Sequence, residues 1–141
     1  MKVMVLVKAT EESEAGKLPS GRLLTEMMAF NERLVKAGVM LAGEGLEASS
    51  KGKRVRTAKG RLTVIDGPFA ETKELLAGFW MWRVGSIDEA VEWAKQIPNP
   101  EGQDFDVEIR PLFEMGEGCT EIPADIREKE ERLREELARK S

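Results

Sequence analysis

The amino-acid sequence predicts an α+β fold of the ferredoxin-like, split βαβ type, with an antiparallel sheet and a charged C-terminal helix. Three observations lead there. Segments with helical spacing interrupt segments of two-residue alternation in the order β-α-β-β-(β)-α-β. The length, 141 residues, is one domain's worth. A hydrophobic share of 41% beside a charged share of 34% suits a packed core, not disorder or a membrane span.

Each element has its own signal. Residues 2–8 alternate, with Val3, Val5 and Val7 on one face and Met4 and Leu6 on the other, so both faces should be covered. Residues 10–21 read as a polar loop. Leu23, Met27, Phe30 and Leu34 recur with helical spacing over residues 22–37, and Gly38 suits the position after the helix. A second strand starts at Val39 and runs into Gly43-Glu44-Gly45-Leu46. Residues 51–66 alternate around Ala58-Lys59-Gly60, which predicts a hairpin. Asp66-Gly67-Pro68 breaks its second strand. Ala70 to Leu76 reads as a helical turn or an ordered loop. Gly78 to Val84 is a strand with Phe79 and Met81 on one face and Trp80, Trp82 and Val84 on the other.

Ser86 and Glu89 form a capping box that opens a helix, and Pro98 and Pro100 stop it. Residues 105–113 form the last strand, with Phe105, Val107 and Ile109 opposed to Asp106, Glu108 and Arg110. Met4, Leu6, Trp80, Trp82 and Leu112 suggest that the sheet face away from the helices is also apolar. Such a face calls for a cover, and a second copy is the simplest one. Two domains are therefore drawn: residues 1–113, then a linker and helix over 114–141. In that helix Glu128, Glu130, Glu135 and Glu136 precede Arg132, Arg134, Arg139 and Lys140 by four residues.

Composition excludes much chemistry. There is no histidine and no tyrosine, so Ser-His-Asp and Cys-His arrangements are ruled out. A single cysteine, Cys119, rules out an internal disulfide and a cysteine-based zinc cluster. It stands among acidic neighbours, which disfavour a thiolate. No metal and no cofactor are expected. No apolar run approaches the roughly 20 residues that span a bilayer, and no small-residue cleavage site follows Met1-Lys2. A cytoplasmic protein without a membrane partner is expected. The net charge of −4 argues against a nucleic-acid partner, although Lys51, Lys53, Arg54, Arg56, Lys59 and Arg61 fall together in the hairpin with no acid among them.

Asp66-Gly67-Pro68-Phe69-Ala70-Glu71-Thr72-Lys73-Glu74 is the most distinctive stretch. It sets three carboxylates and a lysine in a loop beside a strand end, where sites tend to lie. Its plain structural reading is a strand terminator whose Asp66 accepts N–H groups of the following residues. With Gly43-Glu44-Gly45-Leu46, Val55-Arg56, Leu76-Ala77-Gly78-Phe79-Trp80, Asp88-Glu89-Ala90, Trp93-Ala94, Pro98 and Val107-Glu108-Ile109-Arg110-Pro111, this stretch resembles the DGPF subgroup of YCII-related proteins. The likeness covers residues 1 to about 113. It implies a ferredoxin-like domain that dimerises into an α/β barrel, and it implies no settled activity. A related branch is thought to use a His–Asp pair, which a chain without histidine cannot have.

The motif-matched polar residues are Glu44, Arg56, Asp66, Glu71, Lys73, Glu74, Glu108 and Arg110. Glu44 lies between two glycines, where a ligand can approach the backbone. Glu108 and Arg110 share a strand face, and Arg110 suits a carboxylate or phosphate, or else an internal Arg–Glu network. The leading expectation is a small cytoplasmic homodimer that binds a small polar ligand near the DGPF loop through these residues. The first alternative is a lyase or isomerase with Asp66 or Glu44 as base and Arg110 stabilising an enolate-like charge. The second is an interaction module for a transcription-related partner. Trp80, Trp82 and Trp93 read as core or interface.

Overall fold

In the computed structural model, which describes residues 1–114 and 122–140, the first alternating run forms β1 (Lys2–Lys8). A short helix follows, α1 (Glu11–Glu14), in place of the expected loop. Thr10 Oγ1 accepts from the Ser13 N–H at 3.1 Å, and Ser13 Oγ accepts from the Thr10 N–H at 2.8 Å. A capping box without an apolar stripe carries no periodic signal, which is why the pattern hides it. Ser20 caps α2 (Gly21–Lys36) by accepting from the Leu23 N–H, and Gly38 follows its end at a φ of 73° that favours glycine.

The remaining elements are β2 (Met40–Gly45), β3 (Lys53–Ala58), β4 (Arg61–Asp66), β5 (Leu76–Arg83), α3 (Ile87–Ala94), β6 (Val107–Pro111) and α4 (Ala124–Lys140). Single turns of 3-10 helix occupy Ser49–Lys51 and Thr72–Glu74. The main sheet runs β2-β5-β1-β6 with every neighbouring pair antiparallel, which is the split βαβ arrangement. β3 and β4 form a separate two-stranded sheet. In α4, two of the four expected charge pairs close: Arg134 with Glu130 at 2.7 Å and Lys140 with Glu136 at 3.2 Å. The linker at 115–118 and Cys119 lie outside the described residues.

The core sits between the sheet and α2 and α3. Phe30 and Leu34 of α2 and Ala90 of α3 are buried with Val3, Val5, Trp80, Trp82 and Val84. Phe30 meets Trp80 edge-on at 5.8 Å and Trp82 at 6.4 Å. This corrects the expectation that both tryptophans lie on the second sheet face. Val3 stands opposite Trp82 and Val5 opposite Trp80, so valines and tryptophans share the helix-covered side. Alternation defines two faces within each strand but not which face of one strand matches which face of the next.

Phe79 and Met81 instead join Leu6 and Met4 on the other face, all half-buried. Glu108 stands opposite Leu6, Arg110 opposite Met4, and Glu44 opposite Phe79. That face is apolar at its centre and charged along both outer strands.

Candidate functional site

The DGPF loop is fixed by backbone crowding. The Gly67 N–H donates to the Gly52 carbonyl at 3.0 Å. A Cβ at position 67 would stand 1.7 Å from the Ser49 carbonyl oxygen, so only glycine fits. The Gly67–Pro68 peptide is cis. Ser49 gathers three segments of the chain. Its N–H donates to Glu14 Oε2 at 2.8 Å, its hydroxyl donates to Glu14 Oε1, and its Oγ accepts from the Phe69 N–H at 3.1 Å. Phe69 in turn supports Arg54, whose guanidinium carbon lies 3.9 Å from the ring centroid.

Asp66 does not hold the loop as expected. Hairpin register sets Lys53 opposite Asp66, and the Lys53 ammonium takes its carboxylate, which stays largely exposed. Loop N–H groups go to the Gly52 carbonyl and the Ser49 hydroxyl instead. A cross-strand ammonium is nearer to that carboxylate than the amides beyond the turn.

A cavity of about 390 Å³ opens beside this loop. Leu46, Ala48, Leu75, Leu76 and Phe69 form its apolar walls, and Ser49, Lys51, Arg54, Glu47 and Glu74 add polar groups. Lys51 pairs with Glu47 at 3.5 Å. A second cavity, of about 260 Å³, lies between α2 and the ends of β2 and β5. Glu44, Asn31, Trp80 and three glycines line it. Trp80 Nε1 donates to Asn31 Oδ1 at 2.9 Å. A Cβ on Gly43 would stand 2.7 Å from Trp80 Cδ1, so this glycine makes room for the indole.

The motif-matched residues therefore fall in separate places. Glu44 borders the smaller cavity, although strand alternation turns its side chain to the opposite sheet face with Phe79, and Glu74 lines the larger one. Arg56 and Asp66 stand on the exposed hairpin, and Glu71 and Lys73 on the exposed loop after it. Glu108 and Arg110 lie on the open sheet face. There Glu108 sits 3.5 Å from Lys8 and 3.4 Å from Arg110. The Arg110 side chain is 71% exposed, so this chain by itself does not enclose it. Among the described residues, no group of three or more acidic or thiol side chains converges as a metal site. No helix among them is long and apolar enough to cross a membrane.

Residues 1–115 match the YCII-related domain. The chain belongs to the YCII-related family. It is also similar to an uncharacterized protein of Rhizobium meliloti (strain 1021), at 34% identity over 91 residues, 64% of this chain and 73% of that protein.

Within this YCII-related domain, sequence reasoning missed Ser49 and Asn31 and took Arg54 only as one of a basic run. Ser49 gives no local signal, because its partner Glu14 lies 35 residues away. Arg54 is distinguished by its aromatic support two segments on, at Phe69. An apolar cavity with a guanidinium held flat at its edge is suited to binding and orienting a small molecule.

Proposed function

We propose that this YCII-related chain is a homodimeric binding domain that takes a small polar ligand in the cavity beside the DGPF loop. The observation that carries the reading is the Arg54–Phe69 stack at the edge of that cavity. A guanidinium in a loose exposed hairpin would ordinarily sample many rotamers. Stacking limits that freedom and leaves its N–H edge for an acceptor. The homodimer is supported by the second sheet face, where Met4, Leu6, Phe79 and Met81 form a half-buried apolar centre on the side away from α2 and α3.

Two experiments test the reading. A fragment library is titrated into methyl-labelled protein, and the Leu46, Leu75 and Leu76 resonances are followed. Saturable shifts of these methyls are expected, and a library that moves none of them refutes the binding site. Sedimentation at micromolar concentration is expected to give twice the chain mass, and a monomer mass refutes the dimer.

A further inference from the structure

We infer that the cavity beside the DGPF loop takes a zwitterion of amino-acid type with an unbranched or branched apolar side chain. This rests on the reading that the cavity binds a ligand, and it names the class of that ligand.

The inference comes from how the charges around the cavity are already spent. Four ionisable side chains line it: Glu47, Lys51, Arg54 and Glu74. Lys51 and Glu47 satisfy each other. Among the described residues, neither Arg54 nor Glu74 has an ion-pair or side-chain hydrogen-bond partner. Arg54 is held by its face on Phe69, which occupies none of its N–H donors. One guanidinium and one carboxylate are therefore left over, of opposite sign, on the wall of one cavity.

Each simple ligand class meets a penalty there. An anion gains Arg54 but faces the like charge of Glu74. A cation gains Glu74 but faces Arg54. A molecule carrying a carboxylate and an ammonium satisfies both, and its carboxylate can meet the planar guanidinium through two N–H donors. Leu46, Ala48, Leu75 and Leu76 supply the apolar surface for a hydrocarbon side chain. The volume of about 390 Å³ stands at the low end of ligand pockets, which run from about 300 to 1,000 Å³. That size accommodates an amino acid.

The test uses the full chain and three probes that share one hydrocarbon tail: L-norleucine, hexanoate and 1-aminopentane. Calorimetric titration is expected to give norleucine an affinity about tenfold or more above either of the others. Arg54→Gln and Glu74→Gln are each expected to weaken norleucine. Glu74→Gln is expected to strengthen hexanoate, because it removes the like charge. Both side chains are exposed, so both variants should fold, and the wild-type probe series decides the matter even if one does not. Equal binding of hexanoate and norleucine overturns the inference, as does norleucine binding that ignores both substitutions. If norleucine fails to bind while other fragments move the Leu46, Leu75 and Leu76 methyls, the ligand class falls and the site stands. If no fragment moves those methyls, the site itself falls.

Discussion

Gly67→Ala tests whether the DGPF loop is fixed by contact with Ser49. The new methyl would lie 1.7 Å from the Ser49 carbonyl oxygen and 2.6 Å from its carbonyl carbon. Both are backbone atoms, so no rotamer change can relieve the overlap. The loop must instead move away, stretching the Gly67 N–H to Gly52 bond and the Phe69 N–H to Ser49 Oγ bond. Two such hydrogen bonds are worth about 0.5–1.5 kcal/mol each, and forced overpacking adds about 1–3 kcal/mol. The sum is about 2–6 kcal/mol. For a domain of this length each kcal/mol moves the midpoint by about 3–5 °C, so the melting temperature should fall by at least about 6 °C. Calorimetric melting at one fixed protein concentration reads this directly, because association shifts the midpoint of a dimer. Gly45→Ala is the control: a Cβ there meets nothing within 4 Å, and the smaller entropy of the unfolded chain should leave it within about 1 kcal/mol of wild type. A Gly67→Ala protein that melts within about 2 °C of wild type would refute the crowding argument, as would a Gly45→Ala protein that falls equally far.

Ser49→Ala removes the acceptor for the Phe69 N–H and the donor to Glu14, and it should cost about 1–3 kcal/mol by urea denaturation. Trp82→Ala empties the centre of the core, where the side chain is fully buried, and should cost about 3–5 kcal/mol on the same assay. Arg110→Met distinguishes the single chain from the dimer. The pair with Glu108 is mostly exposed in one subunit and worth under about 1 kcal/mol there, whereas closure of the sheet face against a partner raises the expected loss to about 3–5 kcal/mol. The larger loss, in thermal melts whose midpoint rises with protein concentration, is the expected result. A loss under about 1 kcal/mol puts Arg110 in solvent and removes it from the interface.

The elements were legible where a local pattern carries them. Alternation marked β1 and β5, helical spacing marked α2, and Ser86 caps α3 by accepting from the Glu89 N–H at 3.1 Å. The Glu89 carboxylate turns back as well, though onto the Gly85 N–H and not that of Ser86. What stayed hidden depends on residues far apart in the chain. The sequence leaves Trp80 and Trp82 open between the core and the second sheet face, because strand phase is set by pairing with β1, which no single strand records. The loop motif alone makes Asp66 look like a loop acceptor, because it does not contain Lys53, its partner across the hairpin. Ser49 was missed altogether, since a serine in a polar segment looks the same whether or not a glutamate 35 residues away reaches it. The motif-matched charges shared a sequence signature without sharing a place. Short loops spread them over the hairpin, the loop after it and the sheet.

These separate contacts bear on one another through the hairpin. A two-stranded sheet has little stability by itself in water. Here Val55, Leu62 and Val64 are exposed and Ile65 is only half-buried, so β3 and β4 bury little core of their own. The Gly67 N–H to Gly52 bond closes the hairpin's own base, and attachment to the body at that end runs from Phe69 to Ser49 and from Ser49 to Glu14. Arg54 lies on the same short ladder, one residue from Lys53, and rests on Phe69. The contacts that fasten the hairpin are therefore the ones that place the guanidinium at the cavity edge. If the cavity binds as proposed, loosening the DGPF loop should weaken that binding even where the substituted residue touches no ligand, because it releases Arg54 into the rotamers that stacking suppresses. Glu14 belongs to this chain of support without lining the cavity, and α1, which looked like a featureless polar loop in the sequence, acquires its role from that one carboxylate.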